Sequence, residues 1–331
     1  MKKSFLIMVS LLLLLLSACG KEAAEKKGGS NEKLQKVSLM LDWYPNAVHS
    51  FLFAAEEKGY FKKQGLDVDI QMPADTNDPL KLVAANKIDM ALSYQPQVLV
   101  ARSEDIPVQS FGAVVRHPLN QLMVQADGPI QSPKDLAGKT IGYPSIPLDE
   151  AIVQTMVKAD GGNAEKIKMV DVGWDLIPAM ATKKTDALIG GYINHEKLLL
   201  DKEGHPMRTL NPADFGVPDY YELVLVASEK GLKEKPAVFK KFMAAVTEGQ
   251  KYVQAHPEDG LSILMSHEDK TSPLEKDVET KSLEILLPLM DAKEKPFGYQ
   301  DPETWKNTAQ WLKDNKVIKQ TVQAGDAFIN F

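Results

Sequence analysis

The chain of 331 residues contains one cysteine, Cys19, so it can form no internal disulfide and no cysteine metal cluster. Arginine is nearly as scarce, with Arg102, Arg116 and Arg208 the only three. A sulfonate, nitrate or phosphate site wants guanidinium forks or bare helix N-termini, and only Arg116, before His117-Pro118, stands at a strand end. Ser145 and Asp149 still offer backbone amides at a helix start, so anion capture is demoted rather than excluded. Beyond residue 16 no apolar run approaches the roughly 20 residues of a membrane span. The six histidines show no His-Glu-x-x-His pair, and neither a Gly-x-Ser-x-Gly elbow nor a phosphate-cradling glycine loop occurs. Positive charge is in deficit, 39 Lys and Arg against 45 Asp and Glu, which argues against a nucleic-acid partner. What remains is an ordinary globular composition, 44% hydrophobic and 25% charged, in a chain long enough for two domains.

The first 20 residues have the form of an export signal: Lys2-Lys3, an apolar run over 5–16 broken only by Ser10, then Leu16-Ser17-Ala18-Cys19-Gly20. The Leu-Ser-Ala-Cys order resembles the bacterial lipoprotein box, in which the cysteine becomes the lipid-bearing N-terminus. The expectation is a signal peptide over 1–18 and a polar, lipidated tether over 19–35. The protein is then a cell-membrane protein held by its lipid anchor on the extracytoplasmic face, since a diacyl cysteine anchors stably where one chain would not.

The body alternates short apolar runs with amphipathic stretches, the pattern of an α/β protein. Strands are expected over 37–41, 68–72 and 88–92, with helical faces between and after them at 51–61, 80–85 and 97–102. A second block gives strands over 122–124, 140–143, 168–172 and 187–189 and helices over 150–159 and 176–182. Ser132-Pro133-Lys134-Asp135 carries a cap residue, a first-turn proline and an acid. One more strand over 222–227 is followed by helices over 236–256, 257–265, 274–290 and 302–313, a helical tail that suggests return to the first block.

The run Ala55-Glu56-Glu57-Lys58-Gly59-Tyr60-Phe61-Lys62-Lys63-Gln64-Gly65-Leu66-Asp67-Val68-Asp69-Ile70 resembles the opening helix and strand of substrate-binding proteins of ABC importers. Lys87-Ile88-Asp89-Met90-Ala91-Leu92, Asp135-Leu136-Ala137-Gly138-Lys139 and Thr185-Asp186-Ala187 match the same branch, shared by alkanesulfonate-type and thiamine-pyrimidine binding proteins. Leu41-Asp42-Trp43-Tyr44-Pro45-Asn46 with His49 is similar to a segment of the thiamine-pyrimidine subgroup. The resemblance implies a type II periplasmic-binding-protein fold, two α/β lobes around a hinged ligand cleft, with lobe one at 36–122 plus 228–331 and lobe two at 123–227. It also implies a monomeric receptor that delivers a thiamine-derived pyrimidine, formylaminopyrimidine, to a membrane permease and its ATPase. An alkanesulfonate, taurine or riboflavin is the alternative solute.

Ligands of open α/β sheets sit beyond the carboxyl ends of strands. Those positions here are aromatic: Asp42-Trp43, Ser93-Tyr94-Gln95, Gly173-Trp174-Asp175 and Gly190 through Glu196 with Tyr192 among them. Trp43, Tyr94, Trp174 and Tyr192 are expected to stack on, or wall in, a small heteroaromatic ring, or else to pack the lobes. Asp42 and Glu196 would read its polar edges, because a carboxylate accepts from an exocyclic amine or a protonated ring nitrogen. Glu196 reads equally as a solvated carboxylate in the first turn of a helix. Asn46, His49, Tyr221 and Glu222 are further candidates, although His49 also reads as a packed residue at a helix start.

No metal and no cofactor is expected. The family's eukaryotic branch contains a pyrimidine synthase that uses pyridoxal phosphate on a lysine and consumes its own histidine. The matching positions here are Ser93 and Gln97, so the Schiff-base amine is missing and an enzyme is not expected. A purely structural anchor protein would account for the lipid but not for the aromatic strand ends.

Overall fold

A computed structural model describes residues 33–331; the expected signal peptide, Cys19 and the expected tether up to residue 32 lie outside the described residues. Short aliphatic runs form ten strands: β1 Gln35–Met40, β2 Leu66–Gln71, β3 Met90–Ser93, β4 Val108–Val115, β5 Leu122–Gln125, β6 Thr140–Tyr143, β7 Lys168–Asp171, β8 Ala187–Leu188, β9 Met207–Leu210 and β10 Leu223–Ser228. They pair into two sheets of one design, ordered β2-β1-β3-β10-β4 and β7-β6-β8-β5-β9. In each, the first three strands are parallel and the fourth position holds an antiparallel strand. That strand is β10 in the first sheet and β5 in the second, and each is the first strand after the chain has crossed from the other sheet.

Expected elements recur within a few residues, with informative differences. Gln35, expected in the tether, opens β1 because it pairs with Leu66, and its N–H bonds the Gly65 carbonyl at 2.8 Å. β4 and β9 were not legible. Gly112 breaks the apolar pattern of β4, and Met207-Arg208-Thr209-Leu210 is a short edge strand whose partner β5 is distant in sequence. The helical face over 51–61 divides at Gly59 into Ser50–Glu57 and Tyr60–Lys63. Ser132 does cap its segment, with a full capping box, but the turn that it caps is a single 3-10 turn, Pro133–Leu136.

The tail packs on the first sheet's helices. Helix Pro236–Ala255 lies so close to helix Ser50–Glu57 that a Cβ on Gly249 would stand 2.2 Å from the Phe51 carbonyl oxygen. Phe61 and Phe242 stack across the same seam with centroids 5.4 Å apart. A smaller cluster, including Met123, Leu176, Met180 and Leu200, fills one side of the second sheet. Trp43, from the loop after β1, packs against that cluster and so reaches from one sheet to the other.

Candidate functional site

The two sheets direct their loops at one cavity of about 630 Å³, open mouth included. The β1 side is built from the turn at Asn46. Its Oδ1 accepts the Val48 N–H at 3.1 Å, while its own N–H donates to His49 Nδ1 at 3.2 Å. With Nδ1 accepting, the His49 proton resides on Nε2 and is donated to Asp42 Oδ1 at 3.0 Å. The second Asp42 oxygen accepts the Tyr94 hydroxyl at 3.1 Å. The Asp42 carboxylate is therefore buried and clamped, with one further lone pair on each oxygen available to the cavity.

The opposite wall follows β8. Helix Glu196–Lys202 begins on Glu196, whose Oε2 accepts the Tyr192 N–H at 2.7 Å and whose Oε1 lies 2.8 Å from His195 Nδ1. Burial works against charge on both side chains, but the pairing outweighs it: His195 is held above its ordinary pKa and Glu196 below its own. His195 Nε2 is 3.1 Å from the Tyr44 hydroxyl, which joins this wall to the β1 loop.

The two crossovers between sheets close the floor. Glu222, just before β10, accepts the Leu119 and Asn120 N–H groups at 2.7 and 2.9 Å on Oε2 and the Tyr192 hydroxyl at 3.2 Å on Oε1. Asn120 accepts the Gly190 N–H at 2.7 Å, which fixes its amide so that Nδ2 donates to Asp149 Oδ1 at 2.8 Å. Burial pushes Glu222 and Asp149 each up to about 7, against the opposing pull of their hydrogen bonds.

Of the ten residues expected from sequence, Asp42, Trp43, Asn46, Tyr94, Tyr192, Glu196 and Glu222 line the cavity. Three stand behind it. His49 is fully buried and reaches the cavity only through Asp42. Trp174 packs on Trp43 with centroids 3.9 Å apart, outside the lining. The Tyr221 hydroxyl accepts the Asp301 N–H at 2.7 Å, and it is the neighbouring Tyr220 that faces the cavity. Asn120, Asp149, Asn194, His195 and Tyr220 also line it and were not assigned side-chain roles from sequence. For Asn194 and His195 the signal was present, since both follow a recognised strand. Four carboxylates line the cavity, Asp42, Asp149, Glu196 and Glu222, and among the described residues no lysine or arginine does. Among the described residues no cluster of three or more His, Cys, Asp or Glu could hold a metal ion, and no helix is long and apolar enough to cross a membrane.

Comparison with known proteins gives four findings. A family model described as "NMT1/THI5 like" matches residues 46–260. The chain is 44% identical over 329 residues to the formylaminopyrimidine-binding protein of Halalkalibacterium halodurans, covering 99% of this chain and 98% of that one. It is 29% identical over 236 residues to the 4-amino-5-hydroxymethyl-2-methylpyrimidine phosphate synthase THI11 of Saccharomyces cerevisiae, covering 67% of this chain and 68% of that enzyme. Among solved structures, the alkanesulfonate-binding protein SsuA from Xanthomonas axonopodis pv. citri superposes with a TM-score of 0.71 at 13% identity, over 89% of this chain and 98% of that one. At that identity the likeness concerns the fold, which is the two-lobe α/β fold of periplasmic binding proteins.

Proposed function

The chain belongs to the NMT1/THI5-like family, and from that premise we propose that it is the solute-binding lipoprotein of an ABC importer, capturing formylaminopyrimidine for uptake and salvage. One observation carries the choice of ligand: four carboxylates and no lysine or arginine around a cavity walled by Trp43, Tyr94, Tyr192 and Tyr220. A sulfonate brings a fixed negative charge into that field, where the one cationic partner, His195, is already paired with Glu196, and like charges in a buried site repel strongly. An aminopyrimidine brings N–H donors, which carboxylates accept, and a flat ring, which aromatic faces cover.

In this reading Trp43, Tyr94 and Tyr192 wall the ring, and Glu196 and Asp42 read its polar edges. Asn46 shapes the β1 loop, and His49 holds Asp42 in place. Trp174 backs Trp43, and Tyr221 braces the second crossover. Lobe one holds β1 to β4, β10 and the helical tail, and lobe two holds β5 to β9, so the boundary expected at 227/228 moves to just before β10 and that at 122/123 to just before β5, with the hinge at the two crossovers. Contacts across the cleft support closure over the ligand: Trp43 on Trp174, Tyr44 to His195, and the Thr76 hydroxyl donating to the Pro144 carbonyl at 3.2 Å. A permease and its ATPase would receive the solute, and the lipid on Cys19 would keep a monomeric receptor beside them on the outer face of the membrane.

Binding rather than catalysis is supported at the position where the synthase branch would want its lysine. Ser93 is buried there, its hydroxyl 3.3 Å from Gln97 Oε1, and neither residue lines the cavity. The reading is tested by thermal shift of the purified protein with formylaminopyrimidine, hydroxymethylpyrimidine, thiamine, riboflavin, taurine and an alkanesulfonate. A ligand that binds only the folded state raises its melting temperature by mass action. A dose-dependent rise with formylaminopyrimidine is expected. A rise with taurine or the sulfonate instead would overturn the choice of ligand, and silence across the panel would overturn the receptor.

A further inference from the structure

Four cavity-lining side chains hold a buried polar atom with no protein partner: Trp43 Nε1, Asp149 Oδ2, Asn194 Oδ1 and the Tyr220 hydroxyl. The carboxylate oxygen is the costliest of these to leave unpaired, because an ionised group loses most on desolvation. Asp149 is 1% exposed, and its Oδ1 is already committed to Asn120. The approach to Oδ2 is kept open by Gly190, where a Cβ would stand 2.9 Å from that oxygen and 2.3 Å from Pro144 Cδ. Asp149 also sits in the first turn of helix Pro147–Ala159, where the helix dipole favours a negative charge.

We propose that Asp149 is a third specificity-determining carboxylate of this cleft, beside Asp42 and Glu196, its Oδ2 accepting an N–H of an amine-bearing heteroaromatic ligand. This rests on the reading of the cleft as a pyrimidine site and adds a residue to it. Glu196 and Asp149 then hold two separate N–H groups of one ring system. The ligand class is an uncharged or cationic aminopyrimidine, and phosphorylated pyrimidines are excluded because the phosphate would face carboxylates.

The test is a cycle between protein and ligand at pH 8, where Asp149 is mostly ionised, given that its pKa lies at about 7. Dissociation constants are measured by calorimetry for the unmodified protein and Asp149→Asn. Three ligands are used: formylaminopyrimidine, its analogue without the ring amino group, and the formate ester of hydroxymethylpyrimidine, in which an ester oxygen with no proton to donate replaces the formylamino N–H. Loss of one charge-assisted hydrogen bond predicts that Asp149→Asn binds formylaminopyrimidine on the order of ten- to a hundred-fold more weakly. That penalty should vanish for one of the two analogues, the one lacking the N–H that Asp149 reads. An equal penalty for all three ligands, or none for any, would overturn the assignment and leave the pyrimidine reading intact. Failure of the unmodified protein to bind any of the three would overturn both. Asp149→Ala completes the same cycle if the asparagine variant does not fold.

Discussion

Replacing Glu196 by glutamine removes one charge from the cleft and almost nothing else. Glu196 is 5% exposed, and two of its four lone-pair positions are used, by the Tyr192 N–H and by His195. A glutamine can leave its carbonyl oxygen on the Tyr192 N–H and turn its NH2 towards His195 Nδ1. The imidazole accepts that bond if its proton moves to Nε2, which then donates to the Tyr44 hydroxyl at 3.1 Å. The protein network therefore survives through a change of tautomer, and the remaining loss is the charge on whatever the ligand donates to. Hydrogen bonds to charged groups contribute about 1.5–3 kcal/mol, so the dissociation constant should rise on the order of ten- to a hundred-fold. The pairing raises His195 and lowers Glu196, so its stabilisation is present between their two folded-state pKa values. The His195 share is fully present below its unfolded pKa and fades as pH rises through its raised value. The calorimetric titration is accordingly run as a pH series through the titration of His195, with a melting curve of each protein at each pH beside it. A dissociation constant unchanged within twofold, at a retained melting temperature, would refute the reading of Glu196 as a ligand contact.

Three further outcomes follow from the same geometry. Glu222 and Asp149 are both raised, to about 7, so between their unfolded values near 4 and that value the folded state binds more protons than the unfolded one, and stability falls as pH rises. A displacement of that size is worth about 3 kcal/mol for Glu222, so Glu222→Gln should gain on the unmodified protein by that amount in melts from pH 4 to pH 8; parallel pH profiles would contradict it. Trp174→Ala removes the ring packed at a tilt against Trp43 across the cleft, centroids 3.9 Å apart, and with it about 0.5–1.5 kcal/mol. Ligand affinity should fall about two- to tenfold and tryptophan emission should shift to the red, whereas unchanged affinity would show that closure does not use the pair. Gly190→Ala forces a side chain onto a backbone with φ +86° and against Pro144 Cδ, so a loss of about 1–3 kcal/mol in stability and a loss of binding are expected. A variant with normal melting and affinity would mean that the turn relaxes freely.

Local pattern was enough for the α/β alternation, for the aromatic strand ends and for the two segments Asp42-Trp43 and Gly190 through Glu196. A strand end is marked by where an apolar run stops, and that is written in neighbouring residues. The expectation of an export signal, a lipid-bearing Cys19 and a tether likewise comes from the sequence. The tertiary structure alone decided which side chains meet. Tyr220 rather than Tyr221 faces the cavity, because the Tyr221 hydroxyl is turned instead to the Asp301 N–H, a partner 80 residues away that no local pattern announces. Trp174 lies at a strand end as expected, yet the loop after β1 brings Trp43 across to cover it. Asn120, Asp149 and Glu222 come from two crossovers and a helix far apart in sequence, and they converge only because β5 and β10 each insert into the sheet on the far side of a crossover. No local signal carries that convergence, since it depends on long-range strand pairing, and the same pairing buries two carboxylates deeply enough to bring them to titrate near neutrality.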